Sequence, residues 1–271
     1  MSSTNIIPNL DKSFVAALPT KTFGTLVDAQ VTALTEDQVK VLSSAQLASL
    51  TAAKITDLGA NIAYVTPAAI AGLTKSNITG FTITNLSGDG QIEALSTAQF
   101  AALTGTQIGA LTEDQAAKIT PTQAAAITAS QITNLTAANL AVLSPKAFAG
   151  LTPAAIDALV DSGLSQIQAI TADQAKLMTP LQAKQLDAGV VDSLATDTVA
   201  ALAPATLAAI PSAAVSALPS AAFSALTGVQ VAAMTTGQFA SLSANALTQL
   251  GSVQAAAITS SQIKALDSTD L

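Results

Sequence analysis

Apolar residues recur with a period of eight along most of this chain. The pattern is clearest over residues 171–266, where twelve octads follow one another without a gap. When each octad is numbered 1 to 8, position 5 is mostly a large apolar residue. Position 8 is leucine, isoleucine, methionine or phenylalanine in all 28 octads of the chain. Positions 2, 3 and 6 hold alanine, serine, threonine and the few charges. A fixed short period of this kind indicates a solenoid.

The polar positions of the octad predict where each helix starts. Position 1 is threonine, serine or aspartate in 21 octads, and position 4 is glutamine in 14. A hydroxyl followed three residues later by glutamine is a capping box, in which each side chain bonds to the other residue's backbone N–H. Proline occurs at position 2, as in Pro121 and Pro180, where a helix does not need the missing N–H. We therefore predict an all-α solenoid of helices about two turns long.

A β-solenoid with eight residues per side is the competing architecture. The alternation of a half-buried strand fits poorly, because positions 7 and 8 are both apolar and because alanine and glutamine are poor strand formers. Helices of two turns are not stable alone in water. Successive octads should therefore coil around one continuous core.

Irregular segments separate the regular blocks of octads. The predicted organisation is one continuous solenoid divided into an N-terminal arm 1–10, octads 11–81, a glycine-rich insertion 82–95, octads 96–159, an irregular unit 160–170, octads 171–266 and a tail 267–271. Insertions in solenoids usually form loops on one face. The two internal interruptions are therefore the places where a local function is expected.

The glycine-rich insertion has the spacing of a weak calcium loop. Oxygen-bearing side chains stand at every second position, with a glycine between them, at Asn85, Ser87, Asp89, Gln91 and Glu93. Calcium takes six or more oxygen ligands, and glycine allows the sharp turn that such a loop needs. Asn85 replaces the usual first aspartate, and Ser96 stands where a bidentate glutamate is expected. A plain glycine-rich turn that interrupts the repeat is the competing interpretation.

Composition excludes several classes of function. The net charge of −7 and the pI of about 4.3 disfavour binding to nucleic acid. Histidine and cysteine are absent, which removes the commonest general base, disulfides and thiolate metal sites. No apolar run is long enough to span a membrane, and the first residues do not resemble a cleaved signal peptide. We therefore predict neither an enzyme nor a transmembrane protein.

Two resemblances follow from the octad itself. The segment Leu34–Val39 is similar to the start of the first helix in TAL-effector DNA-binding repeats, but the longer period and the basic stripe of those repeats are missing. The segment Leu103–Leu111 resembles the T-x-x-Q-[IV]-x-A-L arrays of large secreted or cell-surface, adhesin-like proteins of proteobacteria. That resemblance implies an extracellular structural or adhesive role and export without a cleaved signal peptide.

Two functions are consistent with these observations. The first is a structural protein that assembles with itself into a filament, sheath or surface layer, or that acts as an adhesin stalk. Near-complete occupancy by one repeat and a surface of small residues favour it. The alternative is a monomeric solenoid that binds a peptide or glycan. Such a module would present aromatic side chains on one face, whereas Phe100, Phe148, Phe223 and Phe239 occupy the apolar position 5.

Overall fold

The computed structural model describes residues 6–87, 90–162 and 164–266 of the chain. Every regular element in these ranges is a helix. The prediction of an all-α solenoid is therefore confirmed, and the β-solenoid alternative is wrong. The chain divides into two compact bodies, Met1–Ala126 and Ile127–Leu271.

The elements of each body follow one another at the spacing of the repeat. The N-terminal body contains α1 Lys12–Ala17, α2 Thr20–Gly24, α3 Asp28–Thr32, α4 Glu36–Val39, α5 Ser44–Ala48, α6 Ala52–Asp57, α7 Pro67–Ile70, α8 Thr97–Phe100, α9 Gly105–Gly109, α10 Glu113–Ala117 and α11 Pro121–Ala124, with 3₁₀ helices at Ile7–Asn9, Gly59–Tyr64, Ile78–Gly80 and Ile83–Asn85. The C-terminal body contains α12 Ala129–Ile132, α13 Ala137–Val142, α14 Pro145–Gly150, α15 Pro153–Ser162, α16 Leu164–Ile167, α17 Ala172–Leu177, α18 Pro180–Ala183, α19 Ala188–Ser193, α20 Thr196–Ala201, α21 Pro204–Leu207, α22 Ser212–Val215, α23 Ser220–Ser224, α24 Gly228–Ala233, α25 Thr236–Ala240, α26 Ala244–Thr248, α27 Ser252–Ala256 and α28 Ser260–Ile263.

The helices are shorter than the expected two turns. Helix α4 has 4 residues and α17 has 6. The reason is that the ends of the octad are often extended: Thr171, at position 1, has ψ 159°, and Met178, at position 8, has ψ 131°. Only positions 2 to 7 remain for the helix, so an octad of this kind is a short helix followed by an extended corner.

The predicted capping boxes are present. At α4 the Thr35 N–H donates to Gln38 Oε1 at 2.9 Å, and the Gln38 N–H donates to Thr35 Oγ1 at 3.4 Å. The same pair of bonds starts the other helices in which serine or threonine at position 1 precedes glutamine at position 4, for example α5, α10, α18 and α28. Each box satisfies backbone N–H groups that a helix start leaves without a partner.

Within each body the helices stack in turns of three repeats. In the N-terminal body α1 packs on α4, α2 on α5 and α3 on α6, and in the C-terminal body α14, α17 and α20 form one such series. Most residues at the predicted core positions 5 and 8 are buried in these turns, with Phe100 and Phe148 among the largest fully buried side chains, while Leu18 is half-buried. The core is therefore a column of small apolar layers, one for each turn.

Glutamine at position 4 links each turn to the preceding one. Besides accepting the cap N–H through Oε1, Gln182 donates from Nε2 to the backbone carbonyls of Phe148 at 3.0 Å and Leu151 at 2.8 Å. Those acceptors are positions 5 and 8 of the repeat four places earlier. The same bonds recur in both bodies from Gln38, Gln46, Gln99, Gln107, Gln115, Gln123, Gln174, Gln238 and Gln262. We call this series the glutamine ladder.

Shorter side chains continue the ladder in a reduced form. Asn77 donates from Nδ2 to the carbonyls of Leu47 and Leu50, as a glutamine would. Thr206 has one hydroxyl and reaches only the carbonyl of Met178, at 2.8 Å. At Pro211 and Pro219 position 1 has no N–H from which a glutamine oxygen could accept, and position 4 is alanine. A glutamine at position 4 of these two repeats could therefore make the bonds to the earlier turn but not the capping bond.

We expect the ladder to contribute measurably to stability, and one repeat offers a matched test. Gln182 is 1% exposed, and its replacement by leucine leaves one N–H and two carbonyls without these partners. Gln182→Leu should lower the free energy of unfolding by about 2–3 kcal/mol. Gln185→Leu, three residues away, removes one long bond to Leu181 and should change it by less than about 0.5 kcal/mol. Equal urea midpoints for the two variants would refute a stabilising ladder.

The need for an N–H at position 1 gives a second prediction. Thr206→Gln can accept from the Ala203 N–H and donate to two carbonyls of the preceding turn, so it should add about 1 kcal/mol to the free energy of unfolding. Ala214→Gln cannot complete its capping bond, because Pro211 has no N–H. We expect that variant to be no more stable than the wild type in urea unfolding. A larger increase in the free energy of unfolding from Ala214→Gln than from Thr206→Gln would show that the capping bond does not contribute to stability.

Candidate functional site

Positions 4 and 5 point toward opposite ends of the stack. Position 4 bonds to an earlier turn, whereas position 5 is covered by a later one. At the start of the N-terminal body, position 4 is accordingly uncovered: Ile6 is 57% exposed and Phe14 is 55% exposed, while Val15 at position 5 is fully buried. We define Ile6, Phe14, Thr22 and Gln30 as the leading face.

The opposite surface is found at the end of the C-terminal body. Gln254 belongs to the glutamine ladder too, because its Nε2 donates to the carbonyls of Phe223 and Leu226. In the repeats 243–250, 251–258 and 259–266 Gln254 and Gln262 are buried, but position 5 is not: Ile263 is 53% exposed. In the repeat just before them Phe239 is fully buried. An apolar basin of about 360 Å³ opens here, lined mainly by Leu247, Leu250, Ala255, Ile258, Ile263 and Leu266. We call it the trailing face.

Hydrogen-bonding groups of the ladder are left over at both faces. Gln30 accepts from the Val27 N–H through Oε1 at 2.9 Å, but its Nε2 has no carbonyl partner among the described residues. At the trailing face no ladder amide in the described ranges reaches the carbonyls of Ile263 and Leu266. Among the described residues, the leading face thus offers a donor at Gln30 Nε2, and the trailing face offers acceptors at the carbonyls of Ile263 and Leu266.

The segment predicted to bind calcium belongs to the ladder. Gln91 is buried, accepts from the Ser87 N–H at 2.6 Å, and donates to the carbonyls of Ile62 at 2.9 Å and Val65 at 2.5 Å. Asn85 ends a 3₁₀ helix and is half-buried, and Glu93 is exposed. Asp89 lies outside the described residues. Calcium binding at these five residues stays a prediction, and a ligand role for Gln91 Oε1 would compete with its bond to Ser87.

The other irregular segments also take part in the stack. Gln115 donates to the carbonyls of Ile83 and Leu86, so the residues 82–86 form a shortened repeat. Gln38 donates to Ile7 and Leu10, which places part of the predicted arm in the first turn. In the unit 160–170, helix α15 is 10 residues long, and Gln166 donates to the carbonyls of Thr133 and Leu135. The unit 160–170 was predicted as an irregular repeat, whereas the roles of 82–86 and of the predicted arm in the stack were not. Those two segments are not whole octads, although each holds a pair of apolar residues three positions apart.

A hydroxyl-lined notch adjoins the shortened repeat. Its volume is about 300 Å³, and it is lined by Thr79, Thr82, Thr104 and Thr106 together with backbone and side-chain atoms of Gly80, Phe81, Ile83, Gln107 and Ala110. The Thr104 hydroxyl bonds to Gln107 inside the capping box.

Electrostatic perturbations in the described ranges are local and lie at the surface. Hydrogen bonds from Ser13 lower the pKa of Asp11, and an ion pair with Lys176 at 2.8 Å lowers the pKa of Asp173. The hydrogen bond to Glu36 raises the pKa of Lys40, whose Nζ also lies 5.3 Å from the centre of the Tyr64 ring. The three pKa shifts come mainly from hydrogen bonds between residues close together in the sequence. Across the described ranges, no three acidic side chains meet as metal ligands would.

The family comparison points to the same repeat. Residues 89–121 match the model of the ALTTAQ repeat. The letters of that name follow the order of Ala94–Gln99 here, with serine in place of the first threonine, and therefore cover positions 7, 8 and 1 to 4 of the octad. No curated protein matches the chain. In the described part of the chain, no helix has both the length and the apolar character needed to cross a membrane.

Proposed function

We propose that this repeat protein is a non-enzymatic structural protein whose copies assemble with one another into an extracellular filament, sheath or surface layer, or form an adhesin stalk. A secreted or cell-surface location without a cleaved signal peptide is part of the proposal. The absence of histidine and cysteine from the sequence supports a role without catalysis. The acidic charge disfavours nucleic acid as a partner.

The observation that carries the proposal is the exposed trailing face. In the stacked turns position 5 is covered by the next turn, yet Ile263, at position 5 of the repeat 259–266, is 53% exposed. Burial of this apolar surface releases water from it, at about 25 cal/mol for each Å² removed from solvent. Association with another copy accomplishes that burial.

A second candidate function is a monomeric module that binds a glycan or peptide. The hydroxyl-lined notch at Thr79, Thr82, Thr104 and Thr106 favours it, because sugars are recognised through hydrogen bonds to their own hydroxyls. Ligands of this type would leave the oligomeric state unchanged.

Electron microscopy of the purified chain over a concentration series tests the structural role. We expect ordered filaments or sheets that become longer or more numerous as the protein concentration rises. Parallel samples in millimolar calcium and in EDTA test the calcium prediction: loss of order in EDTA, reversed by calcium but not in Asp89→Ala, would support a site at Asn85–Glu93. Short rods of uniform length at every concentration would contradict self-assembly and favour the binding module.

A further inference from the structure

We propose that copies of this chain join head to tail, with the leading face of one copy seated on the trailing face of the next. This inference rests on the proposed structural function and specifies its interface. The partner is a second copy of the same chain, and the contact continues the turn-on-turn interface already present inside each body.

Chemical complementarity supports this contact. Inside each body, most ladder glutamines donate to the carbonyls at positions 5 and 8 of the repeat four places earlier, as Gln262 does to Val231 at 2.8 Å and Met234 at 2.9 Å. If residues 6–10 of a second copy occupy the place that follows repeat 259–266, the repeat of Gln30 stands four places after repeat 259–266. Gln30 Nε2 then meets the carbonyls of Ile263 and Leu266. The hydrogen bonds across this contact are of the same kind as those that join successive turns within each body.

Polarity also supports this contact. In the same register a position-4 side chain reaches position 8 of the repeat four places earlier, as Thr206 reaches Met178. Phe14 therefore meets Leu250, so that an apolar side chain lies against an apolar one. Neither face carries a charged side chain, so the contact buries no unpaired charge.

A symmetric contact between two like faces would not make these bonds. A contact between two leading faces would place Phe14 against Phe14 and leave the Gln30 amides without carbonyl acceptors. A contact between two trailing faces would bring carbonyls against carbonyls without donors. Only unlike faces match, so the contact is heterologous, and such contacts produce open-ended chains of subunits when they do not close into a ring.

Sedimentation velocity of the full chain and three variants tests the interface. Phe14→Asp places a carboxylate on the leading face, and Ile263→Asp places one on the trailing face. Val229→Asp is the matched control, because Val229 is 69% exposed on an internal turn. All three positions are exposed, and unchanged circular dichroism and thermal melts verify the fold. We expect wild type and Val229→Asp to form a concentration-dependent series of oligomers, and we expect each end variant alone to need at least tenfold more protein to associate.

Mixing the two end variants gives the sharper readout. Phe14→Asp retains an intact trailing face and Ile263→Asp an intact leading face, so an equimolar mixture should form dimers and nothing larger. Oligomers of wild type together with monomers in the mixture would overturn the head-to-tail interface while leaving self-assembly intact. Dimers of either variant alone, at wild-type concentrations, would indicate a symmetric contact and would also overturn it. Wild type that remains monomeric at every concentration would overturn both this interface and the proposed structural function.

Discussion

The side-chain amide at position 4 connects the two levels of this fold. Its oxygen fixes the start of the helix to which it belongs, and its nitrogen ties that helix to the end of a repeat in the turn before. A helix of four to six residues is not stable by itself, because nucleation costs more than so few backbone bonds return. Stacking supplies the missing free energy, and the ladder satisfies the carbonyls that each short helix leaves at its end.

The ladder also explains how the solenoid accepts repeats of different lengths. The partner of each glutamine is always four repeats earlier, while the separation along the chain is 28 residues between Gln38 and Leu10 and 31 residues between Gln174 and Leu143. Residues can be lost or gained outside positions 4, 5 and 8 without breaking the register. In the C-terminal body the unit 160–170 absorbs its extra residues by lengthening α15.

Most of the fold could be predicted because the sequence of each octad determines where its helix begins and which of its side chains are buried. The capping pairs, the apolar positions 5 and 8, and the helical period are all local, and local rules are readable from sequence. The second role of Gln182 was not predictable in this way, since its partners Phe148 and Leu151 depend on the number of repeats in a turn. For the same reason Gln91 resembled a metal ligand in sequence, although its buried amide follows the ladder. Exposure of the two end faces likewise follows from the stacking direction, which the octad alone does not encode.

Side-chain amide hydrogen exchange, followed by nuclear magnetic resonance, tests the ladder most directly. The account predicts that the Nε2 protons of Gln182 and Gln238 exchange slowly, because they are buried and bonded to two carbonyls. Those of Gln185, which lies three residues from Gln182 at the surface, should exchange as fast as in a free peptide. Equal exchange rates for Gln182 and Gln185 in the folded protein would contradict a ladder that holds the turns together.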